Sequence, residues 1–164
     1  MSRTNRNKTL AAAIATLGGF LGLHRFYLHG FKDWVGWLFP LPSALGILGV
    51  LRARNLGLDD QLAWVLIPLL GFTLAAAGLT AVVYALTTKE KWNAHHNPGA
   101  APDHPAGWTT PLTIGILIAA LMGSAVAFMS SLAFSFQHYF QYQVEAAKAL
   151  LAAATQPSPQ RPSR

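Results

Sequence analysis

The chain has no cysteine and, over its 164 residues, very little charge. Without Cys there is no disulfide, no thiolate metal site and no Cys nucleophile. Only 11% of the residues are charged, against about 25% in an ordinary soluble domain. The deficit is concentrated: residues 104–144 contain no Asp, Glu, Lys or Arg. Carboxylates are scarcest of all. Asp33, Asp59, Asp60, Glu90, Asp103 and Glu145 are the whole set, and each lies outside the apolar runs. A proton or ion path through a membrane normally leaves an ionisable residue inside it, so their placement counts against a transporter. Ser-His-Asp sets, paired carboxylates and phosphate loops are also missing from the pattern. The expectation is therefore a protein that is not an enzyme and holds no cofactor.

What is present is apolar. Four segments stand out: Thr9 to Leu23, extending at most to Leu28; Trp34 to Leu51; Leu62 to Leu86; and Leu112 to Phe136. About 20 apolar residues in a helix match the ~30 Å hydrocarbon core of a bilayer. The last segment meets that length and has no charged face to turn to water. The fold class expected is an all-α integral membrane protein of about four transmembrane helices, the last extended into an amphipathic helix. The first segment is marginal, being shorter than the ~17 to 25 residues that usually span, and a re-entrant path is its alternative. No small-x-small cleavage site follows Leu10 to Leu23, so the segment is expected to be retained.

The divisions follow from these runs. Residues 1–8 form a basic N-terminal segment, 9–51 a helical pair, 52–86 a loop and third span, 87–110 a polar Pro-rich loop, 111–155 the fourth span with its extension, and 156–164 a disordered tail. Pro98, Pro102 and Pro105 make the long loop irregular and exposed by expectation. Pro40, Pro42 and Pro68 lie inside apolar segments and are kink positions, since each removes a backbone donor. Trp34, Trp37, Trp64, Trp92, Trp108, Tyr139 and Tyr142 sit at segment ends, where amphipathic rings favour the headgroup layer. Beyond the last span, Phe136, Phe140, Val144, Ala147, Leu151 and Ala154 recur at steps of three and four, a helix period. That stripe reads either as a helix end on the headgroups or as a surface for self-association or another partner.

The net charge of +6 comes from Arg and Lys at the ends of apolar runs, which is the pattern of topology control and not of nucleic-acid binding. Under four spans the N-terminus, the loop from Arg52 to Gln61 and the C-terminus share the more basic side. Multi-pass residence in a bacterial inner membrane with both termini cytoplasmic is expected. If the first segment is re-entrant, Arg25 and Lys32 join the N-terminus inside and the C-terminus moves outside.

Residues 18–30 read GGFLGLHRFYLHG. With Gly18, Gly19, Gly22, His24, Arg25, Phe26, Tyr27 and Leu28 in place, the run from Lys8 to about Leu51 resembles the TM-two domain, a two-transmembrane-helix module of bacteria and animals. His29 stands where that family usually has Gly, with Gly30 one place later. Members often carry an Asp in the second helix, and Trp34 to Leu51 has none. The resemblance implies a small multi-pass membrane protein and no particular reaction. Read physically, Gly18 and Gly22, like Ala11 and Ala15, have the small-xxx-small spacing that lets helix backbones approach, so Gly18, Gly19 and Gly22 are helix-packing candidates. Arg25 costs at least ~2.5 kcal/mol deep in hydrocarbon. It therefore marks His24 to Leu28 as an interfacial turn, held to phosphate or to carbonyls.

A metal site is not expected: His95, His96, Asp103 and His104 share one loop, but no second cluster completes a four-ligand set. Nor do His24, His29 and His138 form a haem pair at matched depths. The partners expected are the lipid bilayer and a membrane protein or second copy. The function expected is that of a non-enzymatic structural, assembly or accessory subunit acting through helix packing. The alternative is a small-molecule or ion channel or transporter built on Pro- and Gly-broken helices.

Overall fold

The computed structural model describes residues 5–99, 105–106 and 110–155. Asp103, His104, Pro102 and Trp108, the tail 156–164 and Arg3 of the basic N-terminal segment lie outside the described residues. Among the described residues every regular element is helical: α1 (Lys8–Gly18), a 3₁₀ turn (Gly19–Leu21), α2 (Leu23–His29), α3 (Trp34–Leu38), α4 (Pro40–Leu56), α5 (Gln61–Leu86), α6 (Lys89–His96) and α7 (Thr110–Thr155).

Among the described residues, three stretches are long and apolar enough to cross a membrane: Trp34–Leu56, Gln61–Leu86 and Pro111–Thr155. The first segment does not join them by length. Its helix has 11 residues, about 17 Å at 1.5 Å per residue, roughly half the hydrocarbon thickness. Asn7 starts it by accepting the Leu10 amide at 3.0 Å, a side-chain cap for an otherwise orphan donor. It ends at Gly18, and the chain turns through Gly22, whose φ of 73° suits a residue without Cβ. α2 then runs back. The Asn7 amide donates to the Tyr27 hydroxyl at 3.0 Å, so both ends of this helical hairpin lie together.

The core is organised around α5. At its C-terminal end, the Lys8 ammonium donates to the carbonyl of Thr87 at 2.9 Å and reaches that of Ala85 at 3.4 Å. Gly19 packs so closely on α5 that a Cβ there would lie 2.5 Å from the Ala77 Cβ. The hairpin therefore enters beside the end of α5 and penetrates to the level of Ala77. α4 packs antiparallel on the other half of α5. A Cβ at Gly49 would lie 2.6 Å from the Leu66 Cβ, and Arg52 pairs with Asp60 at 2.8 Å. α7 crosses α5 antiparallel through a seam of small residues, with Gly78 against Ser124 and Gly71 against Ser131. The seven-residue step on both helices is that of a left-handed antiparallel pair. The packing glycines thus include Gly46, Gly49, Gly71 and Gly78 as well as Gly18, Gly19 and Gly22, the last serving the turn and also lying against the Gly36 carbonyl, which a Cβ there would strike.

The prolines are placed where their missing donor is compensated. The second segment is interrupted at Phe39, and Pro40 opens α4, a first-turn position where no donor is needed; Pro42 follows in the same turn. Pro68 lies inside α5, which runs on without a break. The carbonyl four residues earlier, on Trp64, accepts the Ser135 hydroxyl of α7 at 2.6 Å instead. A serine on a neighbouring helix satisfies the freed carbonyl, as a membrane helix requires.

The polar segment after α5, expected to be irregular and exposed, differs in one part. Lys89–His96 is helical because the Thr88 hydroxyl accepts the Lys91 amide and because Trp92 is buried to 1% exposure. One large aromatic anchor outweighs the polar composition around it. α7 has 46 residues, about 69 Å, and from Tyr139 to Thr155 every residue is exposed. The last span and its amphipathic extension are one helix.

Candidate functional site

The HRFYL segment lies on α2, and each of its side chains has a separate task. His24 is buried to 1% exposure. Its ring meets Phe39 edge-on at 5.2 Å and Tyr84 at 6.1 Å, and its Nδ1 has no hydrogen-bond partner among the described residues. The Arg25 Nε donates to the Asp33 Oδ2 at 2.6 Å. Asp33 also caps α3, its other oxygen accepting the Val35 amide at 3.2 Å. The Arg25 guanidinium, by donating that bond, holds the Asp33 carboxyl below its ordinary range. Phe26 stacks on Phe31 at 5.4 Å and meets Trp37 at 5.2 Å, resting on Gly36, where a Cβ would collide with its ring. Tyr27 receives the Arg6 guanidinium on its carbonyl and, at 5.3 Å, over its ring. Leu28 is buried with Ala11, Trp92 and Ala106.

The N-terminal strap closes the same end of the bundle. The Arg6 carbonyl accepts the Trp92 indole N–H at 2.7 Å and the Asn97 side-chain Nδ2–H at 3.1 Å, while the Arg6 backbone amide donates to the Asn97 Oδ1 at 2.6 Å. The Lys8 amide donates to the Ala106 carbonyl at 2.6 Å. The residues around Arg6 thus tie α2, α6 and the segment at Ala106 together.

Asp33, one residue before the charge-free second segment, is the acid that answers Arg25. From the sequence alone Arg25 points to phosphate or carbonyls and Asp33 has no role, although an Asp followed by a helix start is an N-cap signal. The link from Arg6 to Trp92 and Asn97 had no signal in one sequence. His29 stands 3.7 Å from Asp33 and 6.4 Å from His96, and His95 and His96 are neighbours at 4.7 Å. Burial, with His95, His29 and Arg6 adding repulsion, lowers the His96 pKa to about 4. Among the described residues no group of His, Asp or Glu has a metal-holding arrangement. His138 is elsewhere, beside Trp64 and Phe134. Of the boundary aromatics, Trp34 and Trp37 are exposed, at 73% and 58%, and Trp92 is not.

What this arrangement does chemically is hold. A guanidinium at the mouth of an apolar hairpin is neutralised by one carboxylate, and the rings around it pack on glycine. Residues 4–52, which contain the hairpin and most of the first crossing, match the TM2 domain family. That match, together with three helices long and apolar enough to cross a membrane among the described residues, supports a membrane protein. Neither the curated proteins nor the solved structures contain a match to it.

Proposed function

We propose that this TM2-domain protein is a non-enzymatic structural, assembly or accessory subunit that works by packing against other membrane helices. The observation that carries the reading is the use of every HRFYL side chain in internal packing or ion pairing. A motif spent in this way maintains a shape and leaves the outer helix faces to make contacts. Purification in mild detergent, with mass measurement and identification of copurifying chains, tests it. Recovery as a solitary monomer whose melting temperature rises with a small solute would overturn it.

That outcome would favour a channel or transporter. The hairpin tip at the level of Ala77 and the buried, unpartnered Nδ1 of His24 support this second reading, since half-helices ending inside a bundle line paths in transporters.

The orientation belongs to the same proposal. Four crossings with both termini cytoplasmic would need the first segment to span. The pairing of Asn7 with Tyr27 and its 11-residue helix support the re-entrant alternative. In that reading Arg6, Lys8, Arg25, Lys32, Lys89 and Lys91 share one side, and Arg52, Arg54 and Lys148 the other. The richer side is cytoplasmic, which puts the N-terminus inside and the C-terminus outside.

A further inference from the structure

The side of α7 turned away from α5 carries a second pattern. Ala120, Ser124 and Ser131 are buried against the bundle. Opposite them run Gly115, Ala119, Met122, Val126, Met129, Ala133, Phe136, Phe140, Val144, Ala147, Leu151 and Ala154, and every one is exposed. The steps alternate four and three, with one repeated four at Phe140. That is a heptad stripe with a single stutter.

Within the bilayer, lipid tails cover such a face at little cost. Past Tyr142, if that ring marks the headgroup layer, they would not. The helix continues for about 20 Å beyond that ring, without Pro or Gly to fold it back onto the headgroups. Phe140, Val144 and Leu151 are 62%, 51% and 68% exposed, and the last two lie beyond that ring.

We infer that this stripe is the contact for a second copy of the same chain, paired in parallel along α7. Four features select that occupant. Two copies inserted alike can only pair in parallel, and in a parallel heptad seam each stripe residue meets its own counterpart, so the surface must be self-complementary. It is, because the whole stripe is apolar. No like charges oppose each other: Lys148, which flanks the stripe, falls opposite Gln143 of the other copy, and Glu145 lies further round. The membrane half begins with Gly115 and Ala119, small residues that allow close approach, and a Cβ at Gly115 or at Gly123 would meet nothing within 4 Å. Finally, the area suffices. The large side chains with their intervening Ala and Gly offer on the order of 1,000 Å² per copy, against the ~800 Å² of a standard interface. The inference rests on the packing role proposed above and names its partner.

The test uses the full-length chain in native membranes, where the absence of Cys leaves single introduced thiols unambiguous. Val144→Cys, Ala147→Cys and Leu151→Cys are oxidised beside Ala146→Cys and Ala149→Cys, which point the other way. Expected is an adduct of twice the 17.6 kDa chain, several-fold stronger at the three stripe positions. In the Ala147→Cys background, Val144→Glu with Leu151→Glu should abolish it. Equal yields at all five positions overturn the inference. An adduct of any other mass replaces the second copy with a different protein and leaves the packing role standing. No adduct at any position removes both the pair and this support for the role.

Discussion

At the scale of single residues, Trp92 shows how one side chain can set the position of a polar segment. It is 1% exposed, meets Tyr84 at 5.6 Å and His96 at 4.2 Å, and donates to the Arg6 carbonyl. Trp92→Ala removes both the packing and the bond, a loss of about 3–5 kcal/mol. Trp92→Phe keeps most of the ring contact and loses about 1 kcal/mol for the bond. Thermal unfolding in detergent should rank wild type, Phe and Ala in that order; an Ala variant as stable as the Phe variant would contradict the anchoring role. Its neighbour His96 makes the same end sensitive to acid. An unfolded chain takes up a proton near pH 6.5 at this ring, whereas the folded one waits until about pH 4. Between those values unfolding binds a proton, so stability falls as pH drops through that window and is unaffected above it. His96→Gln should make the decline from pH 6.5 to pH 4 shallower. An unchanged slope would show that the ring titrates alike in both states.

At the scale of elements, α5 and α7 depend on a substitution of donors. Pro68 cannot bond the Trp64 carbonyl, and the Ser135 hydroxyl does so from the neighbouring helix. Ser135→Ala leaves that carbonyl unsatisfied at a cost of about 1–3 kcal/mol. In a Pro68→Ala background the helix supplies its own N–H, and the same change should cost far less. Equal losses in both backgrounds would break the link between the two residues. How much of these elements was legible follows from range. The second, third and fourth apolar runs were readable because length and absence of charge are local properties. The continuity of α7 followed from the lack of Pro and Gly after Gly123. Each proline was readable as a missing backbone donor, since Pro acts on its own helix, but the serine that answers Pro68 is 67 positions away (135 − 68). α6 was missed because its stability comes from one buried Trp and a cap, not from a periodic apolar face. In the candidate site, HRFYL stood out as a motif. The pairing of Arg25 with Asp33 and the strap at Arg6 depend on where the hairpin folds back, and only the three-dimensional path supplies that.

At the scale of the whole molecule, the return of the hairpin decides which surfaces face which compartment. By length alone the first apolar segment is marginal, and two topologies are open to it. A spanning helix puts Lys32 on the side opposite Ser2. A hairpin puts them on the same side, and it also exchanges the sides of every later loop. The hydrogen bond from the Asn7 amide to Tyr27 and the contact of the Arg6 guanidinium with the Tyr27 carbonyl favour the hairpin, because no helix that crosses ~30 Å of hydrocarbon can bring its two flanks into contact. Single-Cys variants Ser2→Cys, Lys32→Cys, Leu58→Cys and Thr155→Cys, labelled in intact cells with an impermeant maleimide, separate the cases. Protection at Ser2 and Lys32 with labelling at Leu58 and Thr155 is expected for three crossings with the basic hairpin side inside. Labelling at Lys32 with protection at the other three positions would establish four crossings with both termini cytoplasmic. Labelling at Ser2 and Lys32 together, with protection at Leu58 and Thr155, would keep the hairpin and reverse the orientation. In that last case the cations around Arg6 and Arg25 would not be setting the topology, and their role would reduce to the internal contacts with Tyr27 and Asp33.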